Sequence, residues 1–200
     1  MFKTITICFL LSIAISSCSQ NRTYLTEKEK SWNPYKEGQV LIFESSNYEK
    51  DTIRIEDINF GFPDGLGIVD YYEILDVLAE PTGPDLGKYF SNIYGVLTIA
   101  AKTEKRSNYV EFGIKVKNAQ FIERQRFSFE ELEGLAEIQF TVPYGAFDDV
   151  IVIDNKRDYS STPTAIEIIH WSKSKGYIWF DKYDGVSWEL VKIIEPLEIT

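Results

Sequence analysis

The residues able to do chemistry are few and scattered. His170 is the single histidine and lies in the strand-like run Glu167-Ile168-Ile169-His170-Trp171. A histidine acts as general base or ligand when a second group completes the site. No cysteine lies near it, and Glu167 and Glu189 stand at no fixed distance from it. Its plainer reading is a residue of a strand. Two acidic clusters have the composition of a calcium site, Asp148-Asp149 with Asp154 and Glu130-Glu131 with Glu133. Neither has the Asp-x-Asp-x-Asp-Gly spacing that wraps oxygens around one ion. Asp181 to Gly185 fails the same pattern because Phe180 takes the first ligand position, and Asp184-Gly185 reads as a hairpin turn. Gly61, Gly65 and Gly67 lack the lysine and the spacing of a phosphate loop. No Gly-x-Ser-x-Gly elbow is present. Hydrolysis of a glycan needs a carboxylate pair, and 31 acidic residues give no basis for choosing one. The residues therefore nominate no catalytic group, metal or cofactor.

Aromatic residues are the remaining resource. Trp171, Tyr177, Trp179, Tyr183 and Trp188 crowd the end of the chain. On an extended strand Tyr177 and Trp179 share one face, and Ile178 and Phe180 the other. Exposed, Tyr177, Trp179 and Trp188 form a strip that stacks on sugar rings or receives a partner. Covered, they are ordinary cross-strand pairs.

These residues must be carried by a domain, and the start of the chain says where that domain resides. Lys3 precedes an apolar run from Ile5 to Ile15, and Ser16-Ser17-Cys18 follows. A charged start, a short apolar core and small residues at a cleavage point make a secretory signal peptide. The run is shorter than the roughly 20 residues of a spanning helix. The segment resembles the signal and lipobox of a bacterial lipoprotein. That resemblance implies cleavage before Cys18, acylation of Cys18 and anchorage of the chain to a membrane. Ser19-Gln20-Asn21 resembles outer-membrane sorting, which implies an outer-membrane protein facing the periplasm. The expected organisation is a signal peptide over residues 1–17, the lipidated cysteine and a tether over 18–26, and a single β domain over 27–200.

Loss of the signal removes Lys3 and no acid, leaving 20 basic against 31 acidic residues, a net charge of −11. Such a surface disfavours nucleic acid and anionic headgroups, which need basic patches. Cys8 leaves with the signal, so the two cysteines of the chain provide no disulfide, zinc site or nucleophile to the domain. A composition of 44% hydrophobic and 14% aromatic residues supports a packed core.

The elements read as follows. Thr26-Glu27-Lys28-Glu29 is a capping box that starts a short helix from Glu27 to about Trp32, stopped by Pro34. Trp32 and Tyr35 dock this segment. Val40 to Glu44 and Thr52 to Ile58 are strands around a polar hairpin loop, Ser45 to Asp51. Val110 to Val116 and Ala136 to Val142 alternate apolar and polar residues, which predicts antiparallel strands wet on one face. Val150 to Ile153 is apolar throughout, as a strand covered on both faces is. Ile166 to Trp171, Tyr177 to Phe180 and Ser187 to Val191 form a terminal meander. Ile68 to Ala79 fits either a helix, through Asp70, Glu73, Asp76 and Glu80, or a strand, through Tyr71, Glu73, Leu75 and Val77. The expected fold is all-β: an antiparallel sandwich or partly open barrel of about eight to ten strands with a short N-terminal helix.

Tyr35-Lys36-Glu37-Gly38 with Val40 to Phe43, Tyr144 to Val152, and His170 to Lys173 through Gly176-Tyr177-Ile178 to Asp184-Gly185-Val186-Ser187-Trp188-Glu189-Leu190 carry a resemblance. Together they are similar to small, uncharacterised lipoproteins of Bacteroidetes-type bacteria. The resemblance implies the fold and the envelope setting, favours strand for Tyr71 to Ala79, and brings no catalytic residue. His170 and Trp171 depart from it, since tyrosine-like aromatics are expected there. Asp51-Thr52-Ile53 resembles the O-glycosylation pattern of envelope proteins in the same bacteria, with Thr52 as acceptor. Three functions follow as expectations. The first is a non-catalytic lipoprotein that binds an envelope protein or glycan or serves a structural role. The second is a lipid or lipoprotein carrier with an apolar half-barrel. The third is an envelope glycan hydrolase.

Overall fold

The computed structural model describes residues 22–62, 71–81, 93–117, 119–120, 125–156 and 160–197. Two short helices, α1 (Glu27–Lys30) and α2 (Phe129–Glu133), accompany fifteen strands. The strands are β1 (Arg22–Thr23), β2 (Val40–Ser45), β3 (Lys50–Gly61), β4 (Tyr71–Tyr72), β5 (Ile74–Pro81), β6 (Tyr94–Ala100), β7 (Tyr109–Phe112), β8 (Lys115–Val116), β9 (Ala119–Gln120), β10 (Gln125–Ser128), β11 (Ile138–Val142), β12 (Gly145–Asp154), β13 (Ile166–Ser172), β14 (Gly176–Lys182) and β15 (Ser187–Ile194). Eleven of them form one antiparallel sheet in the order β10-β7-β6-β5-β3-β2-β15-β14-β13-β12-β11, curled into a half-barrel. The all-β fold is as the alternation predicts, and of the two expected forms, sandwich or partly open barrel, the sheet takes the second, with one strand more than expected.

The topology is two meanders joined at the centre. The first runs outward from β2 to β10. The chain then passes through α2 to the opposite edge and works back from β11 to β15, which pairs with β2. The curl brings the two ends of the sheet together. Lys156, just after β12, donates from Nζ to the Arg126 carbonyl of β10 (2.8 Å) and covers the Phe127 ring at 4.2 Å.

One row of side chains from each strand fills the concave side. Leu41, Phe43, Ile53, Ile55, Val77, Phe112, Trp171 and Trp188 are among those fully buried. Residues 71–81 are strand, not helix. Leu75, Val77 and Ala79 enter the core, and β3 and β6 satisfy the backbone on both sides. The wet face expected at Glu111 is absent: Arg126 covers its carboxylate at 2.5 Å and lies over Tyr109 at 4.9 Å.

The expected free tether of residues 18–26 is docked from Arg22 onward. β1 pairs in parallel with β4, Leu25 is buried, and the Leu25 amide donates to the Glu73 carboxylate at 2.8 Å. The capping box is formed as predicted, with Glu29 N–H to Thr26 Oγ1 at 3.2 Å and Thr26 N–H to Glu29 Oε2 at 2.7 Å. The same device starts α2 between Ser128 and Glu131. Among the described residues no helix is long and apolar enough to cross a membrane.

Candidate functional site

Tyr177, Trp179 and Trp188 do not form one exposed strip. Trp171 of β13 is opposite Tyr177, whereas its neighbour His170 is opposite Trp179, leaving Ile178 as an extra residue in β14. Such a bulge interrupts the two-residue period. It turns Tyr177 inward and Trp179 outward. Trp188 points inward as well, stacked on Phe180 at 6.3 Å. Tyr177 and Trp188 are wholly buried, and Trp179 is half-buried.

The inward set closes the half-barrel. Phe112 from β7 meets Trp171 edge-on at 4.9 Å, and Trp171 meets Tyr177 at 5.0 Å. The Tyr177 hydroxyl donates to the Val96 carbonyl across the curl (3.1 Å). Tyr35 of the N-terminal arm completes the set. Its hydroxyl accepts the Tyr177 amide at 3.0 Å, and its ring meets Trp171 at 5.9 Å. Burial pushes the Tyr35 phenol well above its ordinary range, so it stays neutral. Gly176 makes room for it. Its φ is +82°, and a Cβ there would collide with the Tyr35 hydroxyl and ring. Within this core the indole N–H groups of Trp171 and Trp188 have no hydrogen-bond partner. Each such group costs about 1–3 kcal/mol, which the surrounding apolar burial must offset.

The outward set is smaller. Phe140 of β11 lies over His170 at 4.3 Å and 30°, and meets Trp179 edge-on at 5.8 Å. The β11–β12 hairpin thus leans over the outer wall. At its tip the Tyr144 amide donates to the Leu190 carbonyl (3.3 Å), beside the bulge between Leu190 and Lys192. Burial lowers the imidazole pKa of His170, against the opposing pull of Asp181. Its Nδ1 is buried without a partner. Asp181 instead accepts the Trp179 indole N–H at 3.0 Å. The arrangement is an aromatic platform with a neutral imidazole, not a base oriented by a carboxylate.

The carboxylates of the predicted clusters hold the chain together. Asp149 accepts Ser172 Oγ and the Ser174 amide, both at 2.7 Å, and so fixes the turn before β14. Burial pushes its carboxyl up, but the Ser174 and Ser172 hydrogen bonds outweigh this and hold it below the usual range. Glu131 caps α2 and pairs with Lys156 at 3.0 Å. Asp184 pairs with Lys182 at 2.7 Å and accepts the Val186 amide at 3.0 Å, and Gly185 has φ +80°, the expected hairpin turn. A cleft of about 590 Å³ between α1 and α2 is lined by Glu29, Glu130 and Glu133 among others. Both Glu29 oxygens are occupied there, one by the capping box and one by Asn108, and Glu133 pairs with Lys28 at 2.7 Å. Among the described residues no group of three His, Cys, Asp or Glu side chains can hold a metal ion.

Thr52 lies in β3, opposite Ile42, two residues past the strand's start at Lys50 and so close to the hairpin turn. The carboxylate of Asp51 is buried and accepts the Thr52 and Lys117 amides. The signal segment and Cys18 lie outside the described residues. Sequence reasoning found the docking residues Trp32 and Tyr35 but missed the bulge that sorts the aromatics. No family model, curated protein or solved structure matches the chain.

Proposed function

We propose that the protein is an envelope lipoprotein, anchored to the outer membrane through acylated Cys18 on its periplasmic side, with a non-catalytic binding or structural role. The observation that carries the binding reading over the carrier reading is the occupied interior. Phe112, Trp171, Tyr177 and Tyr35 fill the concave side that a carrier would leave to acyl chains. The partner, an envelope protein or glycan, then meets an outer surface, where Phe140, His170 and Trp179 form a half-buried aromatic cluster. Native mass spectrometry of residues 19–200, which lack the acylated cysteine, in the absence of detergent tests this. A bare polypeptide mass is expected. A mass released on denaturation and identified as lipid would replace the binding reading with a carrier. Metabolic labelling with an alkyne palmitate tests the anchor separately, with label expected on the wild type and absent from Cys18→Ser.

The open, curled sheet favours the carrier as second reading, since that shape holds acyl chains when its interior is empty. Glycan hydrolysis has less support, because the cleft carboxylates of Glu29 and Glu133 are already paired.

A further inference from the structure

The net charge of −10 conceals a local reversal. Where the N-terminal arm joins the barrel, cations and aromatic rings alternate around the rim. Arg22 lies over Phe62 at 5.6 Å, Lys30 over Phe60 at 5.8 Å, and Arg106 over Tyr72 at 5.1 Å. Tyr24 meets Phe62 edge-on at 5.5 Å. Tyr24 and Phe60 are 56% and 55% exposed, so both rings face solvent at the rim. The neighbouring loop between β6 and β7 adds exposed Lys102 and Lys105. Among the described residues the acids at this rim are Glu27, which pairs with Lys30, Glu104 in the loop, and Glu73, whose carboxylate turns to the Leu25 amide. Asp57 and Asp76 lie farther down the wall.

We propose that this rim rests on the headgroup layer of the bilayer that holds the anchor. The inference rests on the reading of Cys18 as the anchor. Arg22 follows Cys18 by four residues. Four residues reach at most about 14 Å when fully extended. Pairing of Arg22 and Thr23 with Tyr71 and Tyr72 leaves no further slack in the arm. The rim is therefore the part of the domain that cannot leave the membrane surface. Its chemistry suits that place, because tyrosine, phenylalanine, arginine and lysine are the side chains that settle at the interface between hydrocarbon and water. The acidic remainder of the domain is repelled by anionic lipid, which fixes the orientation.

The test uses the acylated full chain in vesicles of phosphatidylethanolamine and phosphatidylglycerol. Loss of Cys8 with the signal and acylation of Cys18 leave no free thiol, so Tyr24→Cys, Phe60→Cys and Tyr48→Cys each carry one polarity-sensitive dye. Tyr48 is 85% exposed at the far end of β3 and serves as control. Dyes at 24 and 60 are expected to shift to the blue and to lose emission to spin-labelled headgroups, with no change at 48. Equal exposure of all three to an aqueous quencher overturns the proposal. If mass spectrometry finds no acyl chain on Cys18, the anchored reading itself fails. The rim is then judged by flotation of the unacylated chain with the same vesicles at low salt. There the substitutions Arg22→Ser, Lys30→Ser and Arg106→Ser should each cost about five-fold in partitioning, and absence of any flotation would reject the surface as well.

Discussion

The two faces of β13 and β14 carry two aromatic sets that differ in what they do. The inner set of Trp171, Tyr177, Phe112 and Tyr35 meets edge to face, with both tyrosine hydroxyls hydrogen-bonded to backbone. Burial holds the Tyr35 phenol neutral. The outer set of Phe140, His170 and Trp179 is half-buried and contains the chain's single histidine, whose imidazole burial holds below its ordinary pKa. A single extra residue, Ile178, separates the sets. The inner set defines which fold the chain adopts. The outer set makes the stability of that fold depend on conditions.

Substitutions that break the inner set should have the largest effects. Gly176→Ala places a Cβ against Tyr35 and forces alanine to positive φ, so a loss on the order of 3 kcal/mol is expected in urea unfolding. Combined with Tyr35→Ala the two losses should fall short of their sum, because both remove one contact. Additive losses would show that Tyr35 is not the obstacle. Tyr35→Phe removes the hydroxyl that accepts the Tyr177 amide and should cost about 1 kcal/mol, with the fold retained by circular dichroism.

The outer set should respond to acid. The folded pKa of His170 lies below its ordinary value, mainly through burial, so the unfolded chain binds the proton more readily. Stability from this group is full above about pH 6.5 and falls as pH drops from there through the folded pKa. Unfolding midpoints at descending pH should show that decline in the wild type and a flatter profile in His170→Phe. The same decline in both proteins would remove His170 as its cause. The smallest effect is expected at Glu189, whose carboxyl is pushed up by burial and by Glu44 opposite it. With its folded pKa raised, this group disfavours the fold as pH rises through that value. Glu189→Gln should therefore raise stability at neutral pH by a few tenths of a kcal/mol, visible as a small gain in midpoint.

Much of the wall was legible because period two and turn residues are local properties. Thr26 with Glu29 announced α1, and Asp184-Gly185 announced the last hairpin. Ser128 with Glu131 carried an equal signal, but three glutamates in five residues drew it toward an ion-site reading. The bulge at Ile178 had no local mark, since it is set by which residues of β13 face β14. Glu111 looked solvent-exposed because Arg126, which covers it, is fifteen positions away. Residues 71–79 fitted both periods, and pairing with β3 and β6 decided between them.

The pairing of β15 with β2 also sets a timetable. The strand that joins the two meanders follows every other strand of the sheet in chain order. Until residues 187–194 pair with it, β2 presents an open edge. Contacts so distant along the chain form slowly. Disruption of this strand would open the sheet between β2 and β14 and expose two edges to proteolysis and aggregation.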